Sequence, residues 1–123
     1  MVGLKTIFNV TDNSGAVIVQ CIKILNSHNQ SATIGSFVVV AVNKVKIRKK
    51  MKVKNHNVYF GLIVRTKQPL NRFNGIKVFF HDNSVVLLDK KKNPISSRIF
   101  GSVPYELREK RFLKLLLMAN SVI

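Results

Sequence analysis

The chain has 123 residues, 46% of them hydrophobic, and sets 21 lysines and arginines against five acidic residues for a formal charge of +16. That length fits one domain with a modest core, and that apolar content excludes a disordered basic tail. No apolar run approaches the roughly 18 residues of a membrane-spanning helix, and no apolar leader follows Met1.

A charge excess of this size repels itself and seeks polyanions, nucleic acid first and an anionic membrane surface second. Cys21 is the only cysteine, which excludes an intrachain disulfide and a thiolate metal cluster. It lies in an apolar run and reads as a buried structural thiol.

In chain order, Thr6-Ile7-Phe8-Asn9-Val10 predicts a short strand. Asp12-Asn13-Ser14-Gly15 predicts a turn, because Asp and Asn side chains bond nearby backbone and Gly supplies a positive φ. Ala16 to Leu25 is a long β-branched run interrupted by Gln20 and Lys23, expected to be buried on both faces for part of its length. Asn26 to Thr33 is a polar loop, Phe37 to Val42 a third strand and Val58 to Lys67 a fourth. Gly75 to Phe80 and Ser84 to Leu88 read as two short strands joined as a hairpin across His81-Asp82-Asn83. Several short strands separated by polar turns predict an antiparallel barrel or sandwich.

The last quarter changes character. Pro104 suits a first helical turn, Glu106 and Glu109 suit its positive end, and Leu107, Phe112, Leu115 and Leu116 fall near helical spacing. A helical cap over residues 104–120, as one helix or two divided near Lys110, is expected to cover the barrel within a single domain, 1–123.

The densest charge cluster is Lys44, Lys46, Arg48, Lys49, Lys50, Lys52 and Lys54, interleaved with Val45, Ile47, Met51 and Val53. Alternation places Lys44, Lys46 and Arg48 on one face of a strand, and Lys50, Lys52 and Lys54 on one face of a returning strand. The resulting basic hairpin would lay its cations along a phosphate backbone and pack its odd-numbered apolar residues on the body. The alternative is a solvated edge strand made cationic against aggregation. The total charge favours RNA, because edge protection alone would mix signs. Arg65, Lys67, Arg72 and Lys77 form a second group, Lys90, Lys91 and Lys92 a third, and Arg98 with the helix cations a fourth. Such contacts position a protein on phosphates without reading sequence.

Most of the phenylalanines lie in apolar runs and read as core. Phe73, in Asn71-Arg72-Phe73-Asn74-Gly75, falls on a loop tip where it could stack on a base. Catalysis has little support. His28, His56 and His81 share no spacing with carboxylates, and no metal-binding, phosphate-loop or nucleophile motif occurs. No catalytic residue, metal or cofactor is assigned.

Five segments together resemble one family. They are Asn9 to Ala16, Cys21-Ile22-Lys23, Val64-Arg65-Thr66-Lys67, Arg98-Ile99-Phe100-Gly101 and Glu106-Leu107-Arg108. In order and separation they are similar to protein fourteen of the large ribosomal subunit, over nearly the whole chain. The resemblance implies a mainly β fold: a small five-stranded antiparallel barrel with a basic β-hairpin extension and a short C-terminal helical part. It implies a structural role in the large subunit, binding to large-subunit rRNA, and a bridge to small-subunit rRNA across the interface. It also implies contacts with neighbouring large-subunit ribosomal proteins and no membrane partner. A ribosome silencing factor would dock on the face that carries Arg98 and Lys114. The rRNA-binding set is Lys44, Lys46, Arg48, Lys49, Lys50, Lys52, Lys54, Arg65, Lys67 and Arg72.

The chain departs from the family pattern in places. Val17-Ile18-Val19 is apolar where basic residues are usual, Arg48-Lys49-Lys50 has neither proline nor glycine, the loop before Gly75 lacks a second arginine, and Ser102 stands where proline is usual. Lysine exceeds arginine and alanine is scarce, which suggests an AT-rich gene. With the departures and the lack of a presequence, this points to an organelle-encoded member in the mitochondrial matrix ribosome, with a plastid or bacterial cytoplasmic member as the alternative. A free-standing single-strand-binding barrel of the OB or cold-shock type is the competing function, and would need aromatics facing solvent on one sheet face.

Overall fold

The structure is a computed structural model that describes residues 2–25, 31–46, 53–109 and 112–123. The elements are β1 (Val2–Gly3), β2 (Ile7–Val10), β3 (Ala16–Ile24), β4 (Ser31–Ala32), β5 (Phe37–Val45), β6 (Val58–Arg65) and β7 (Leu70–Asn71). They continue with β8 (Lys77–Val78), β9 (Ser84–Leu88), β10 (Ile99–Val103), α1 (Glu106–Glu109), α2 (Leu113–Met118) and β11 (Ala119–Val122).

Strands β2, β3, β5, β6 and β9 close into a barrel in that order. Four seams are antiparallel, and the closing seam between β2 and β9 is parallel. A barrel this small is filled by its own side chains. Phe8, Val19, Cys21, Val38, Val40, Val42, Ile63, Val85 and Leu87 form the filling, each almost fully buried.

Burial on both faces was expected of β3, but the structure gives it to β6 and β9. Gly61 to Val64 and all of β9 are buried. Their outward residues Leu62, Val64, Val86 and Leu88 form a second core with Ile99, Val103, Leu107 and Leu115. Each such side chain taken out of water contributes about 1.5–3 kcal/mol, so this layer holds the C-terminal segment on the barrel. On β3 only Ala16, Val19, Cys21 and Ile24 are buried, while Val17 and Ile18 are half-buried and Ile22 is exposed. The uneven spacing follows from bulges. Val17 and Ile22 are each skipped in the pairing with β5, so the inward face changes parity twice.

Two other expectations are corrected. Residues 75–80 do not form a hairpin with β9. β8 pairs with β7 through Leu70↔Val78 and Asn71↔Lys77, and β9 inserts between β6 and β2. A segment apolar at almost every position needs a strand on each side and cover on both faces. The helical cap ends at Met118, because Ala119 turns extended and β11 runs parallel to β10 through Ile99↔Ala119 and Val103↔Val122. Ladder bonds and a 2.6 Å contact between the Ser102 and Ser121 hydroxyls outweigh further helix in an Asn-Ser sequence of weak helix propensity. The division into two helices fits the expected break, although Lys110 itself lies outside the described residues.

Asp12 ties these parts together. Its side chain is 5% exposed. Oδ1 accepts from the Ser14 amide at 3.1 Å and from the Ser14 hydroxyl, and Oδ2 accepts from the Leu87 amide at 3.0 Å. Burial pushes the carboxyl above its ordinary range, against the opposing pull of these hydrogen bonds. Around it, Thr11 O accepts from Phe100 N at 2.6 Å and Arg98 O from Asn13 N at 3.3 Å, so β10 is stitched to the turn.

A second close approach involves Gly101, whose φ is +80°. A Cβ placed there would stand 2.6 Å from Arg65 Nη1. Arg65 lies between this glycine and Asp82, whose Oδ2 is 3.6 Å from Nη2.

Replacing Asp12 by Asn turns one acceptor into an amide donor facing a donor, at either Ser14 or Leu87. Asp12→Asn is expected to lower the unfolding free energy by about 1–3 kcal/mol in denaturant titration at high salt. Gly101→Ala is expected to cost about 1–2 kcal/mol for the left-handed backbone alone, plus the displacement of Arg65. In an Arg65→Ala background only the backbone part should remain.

Candidate nucleic-acid interface

The cationic cluster begins where the barrel ends. Along β5 the buried residues are Val38, Val40 and Val42, so continued alternation would turn Lys44 inward. Instead Val19 pairs with Val42 and Ile18 with Lys44, which leaves Asn43 as an extra residue. This bulge reverses the parity: Lys44 and Lys46 are exposed, and Val45 packs against the core. Lys46 N donates to Gly15 O at 2.8 Å, which ties the root of the cluster to the first turn.

Arg48, Lys49, Lys50 and Lys52 lie outside the described residues. The chain returns at Val53, which is 1% exposed within the inner core, as expected of an odd-numbered apolar residue of the cluster. Lys54 is exposed, and its amide donates to the Tyr59 hydroxyl at 3.1 Å. Residues 54–57 form a turn rather than a strand, with His56 at φ +63°.

Lys67 is exposed just after β6. Arg65 and Arg72 are placed differently from the sequence expectation, because both guanidinium groups are engaged within the chain. Arg65 pairs with Asp82 and its side chain is 16% exposed. Arg72 makes a two-pronged bond to Glu106, Nε to Oε1 at 2.6 Å and Nη2 to Oε2 at 3.2 Å. Nη2 also reaches Ile123 O at 2.7 Å, and the guanidinium lies 4.4 Å above the Tyr105 ring. The planar fork of arginine suits such shared work better than an ammonium would.

The acids follow a pattern. Asp12 is buried in the first turn, Asp82 holds Arg65 and the Ser84 hydroxyl, and Glu106 holds Arg72. Asp89 Oδ1 accepts from the amides of Lys91 and Asn93, both at 2.9 Å. Each carboxylate with a described side chain therefore serves the fold. The exposed lysines keep an uncompensated positive field, which attracts polyanions.

The Asp89 turn presents Lys90 and Lys91 to solvent, while Lys92 Nζ rests 4.5 Å from the Phe37 ring. The sequence signal for this was an acid opening a run of lysines before Asn93 and Pro94. Arg98 is exposed beside the first turn, its guanidinium 5.7 Å from the Phe100 ring. Phe100 and Lys46 line one cavity of about 100 Å³ with Gly15, so the root of the cluster and the Arg98 segment flank the same spot. Lys114 is exposed on α2 and borders a different groove, about 320 Å³, with Phe37, Lys92 and Phe112. Arg98 precedes Ile99, which pairs with Ala119 directly after α2, so the two cations belong to one C-terminal unit, although Lys114 borders a groove that Arg98 does not line.

Cys21 is buried, and burial pushes its thiol further up, as in an inert structural cysteine. Among the described residues no group of His, Cys, Asp or Glu could hold a metal ion, and no helix is long and apolar enough to cross a membrane. Among the described residues the barrel strands show no exposed aromatic strip: Phe8 is fully buried, Tyr59 packs against the inner core, and Phe37 and Phe60 pack against the second core.

Comparison with protein families gives a match to the model described as ribosomal protein L14p/L23e over residues 1–123. That match spans the Asp12 turn, the Arg65–Gly101 contact and the C-terminal unit alike. The chain belongs to the ribosomal protein L14p/L23e family, whose role in the large ribosomal subunit is structural rather than enzymatic.

Proposed function

We propose that this protein binds large-subunit rRNA by neutralising phosphates with its lysine-rich surface. The contact cations are Lys44, Lys46, Lys54 and Lys67, together with Arg48, Lys49, Lys50 and Lys52 of the segment between. Arg65 and Arg72 shape the surface from within. The observation that carries this reading is the division of charge: the described carboxylates are each engaged in bonds within the chain, Asp89 in a surface turn, while Lys44, Lys46, Lys54 and Lys67 stand exposed with no described acid paired to them. Embedded in RNA, such a surface screens phosphates that would otherwise repel as the subunit compacts.

The C-terminal unit that carries Arg98 and Lys114 is the face turned toward the small subunit. It joins a bridge to small-subunit rRNA, touches neighbouring large-subunit proteins, and offers the docking site for a silencing factor. The lysine-rich, alanine-poor composition supports a mitochondrial ribosome as the setting. A coding sequence in organellar DNA is expected, and one in nuclear DNA would overturn that assignment.

Binding to large-subunit rRNA is expected to weaken steeply with salt, with each phosphate contact contributing about 0.7–0.9 to the slope of log K against log salt. Lys44→Ala and Lys46→Ala should each flatten the slope by about that amount, whereas Arg72→Ala should lower stability and leave the slope unchanged. Filter binding over a salt series reads both, and binding without salt dependence would sink the mechanism.

A further inference from the structure

We propose that Phe73 is a stacking wedge for an unpaired nucleobase of ribosomal RNA. The proposal rests on the RNA-binding reading above and adds to it a non-electrostatic contact. Phe73 is the most exposed large apolar residue described, at 107% relative exposure. It stands at the tip of the β7–β8 hairpin, in a turn closed by Gly75 N to Arg72 O at 3.1 Å and by Arg72 N to Ile76 O at 2.9 Å. Gly75 takes φ +79°, and Asn74 Oδ1 accepts from Ile76 N at 3.4 Å. The turn needs no aromatic at its second position, where proline or a polar residue suits the backbone. The ring contributes nothing to local structure that would explain it.

The tip is anchored. Immediately before Phe73, Arg72 is held by Glu106, by the Ile123 carbonyl and by the Tyr105 ring. Leu70, at the foot of the hairpin, packs into the second core. A ring carried on an anchored backbone leaves only its own side-chain rotation to be ordered on binding, which keeps the cost of the contact small.

The surroundings select a nucleobase over an apolar protein patch. Residues 67–81 contain no acid. The nearby carboxylates of Asp82 and Glu106 are closed off by Arg65 and Arg72. Lys77 pairs across the hairpin with Asn71, and both are exposed. Ile76 adds exposed apolar surface on the tip, and Phe79 does so just beyond β8. A fully exposed ring beside amides and a lysine, with no acid at hand to repel phosphate, matches a base attached to a phosphate chain: the base offers a π face and the lysine meets the phosphate.

The chain has no tryptophan, so Phe73→Trp installs a single indole at the tip. The full-length protein would be titrated with rRNA extracted from the large subunits that contain it. Stacking predicts strong quenching of the indole. Phe73→Ala and Phe73→Leu should both weaken binding about 5- to 100-fold, Phe73→Tyr should bind normally, and the salt slope should stay constant across the series. An unquenched indole, or a Phe73→Leu variant that binds like the parent, overturns the proposal. So does a Phe73→Ala variant that binds free rRNA normally yet fails to enter subunits, because the ring would then meet protein. Failure of the unsubstituted protein to bind this rRNA would instead overturn the RNA-binding reading itself, and the wedge with it.

Discussion

The barrel closes through a seam that runs out of strand too early. β2 pairs with β9 only at Asn9↔Ser84 and Val10↔Val85, after which Thr11 N still reaches Val85 O. The next amide of β9 that faces this seam, at Leu87, has no β2 residue beside it, although β6 pairs with Leu87 on the other side. The Asp12 carboxylate takes that place and in the same stroke fastens the Ser14 end of its own turn. A buried amide left without an acceptor is expensive, so seam and turn stand or fall together. Arg98, Phe100 and Lys46 then attach to this turn through their backbones. A single desolvated carboxylate thus fixes where the C-terminal unit and the cationic segment begin.

Arginine and lysine divide the electrostatic work. The two described internal ion pairs both use arginine, and Arg72 serves a carboxylate, a carbonyl and an aromatic face together. Its rigid fork suits several fixed acceptors at once. The outward charge is mostly lysine, a mobile point charge suited to phosphates whose positions vary from one backbone step to the next. Had Asp82 and Glu106 been left unpaired on the surface, they would have repelled any polyanion that the lysines attract. Folding them against arginines removes that repulsion and braces the β7–β8 hairpin.

Local features were legible in the sequence. The β-branched runs gave the barrel strands, Asp-Asn-Ser-Gly gave the turn, and the helix break fell as the cation-rich stretch suggested. The sequence hid whatever depends on a distant partner. Arg72 and Glu106 stand 34 residues apart, and nothing local separates an arginine with a carboxylate waiting from one facing solvent. The fate of residues 119–122 was hidden for the same reason, since β10 supplies their ladder. Two-faced burial was assigned to β3 from its apolar run, but bulges let one face of β3 carry that run while β6 and β9 took the cover. Phe73 stood out from its loop position, and the structure adds how its base is anchored.

The bulge at Asn43 joins fold to function most directly. Without it, Lys44 would follow Val38, Val40 and Val42 into the barrel, where no carboxylate is available among the residues that fill it. An uncompensated ammonium in such a place costs several kcal/mol. The extra residue turns the lysine out and lets Val45, with Val53 from the returning chain, pack against the end of the inner core. Barrel closure and cation display are therefore one event in the register of β5. A sequence that lost the bulge would have to exchange an apolar core for a charged one, or slide the whole strand by one residue and expose Val38, Val40 and Val42 together. Both alternatives are far less stable than the arrangement found, so the outward direction of Lys44 and Lys46 is set by the packing of the barrel itself.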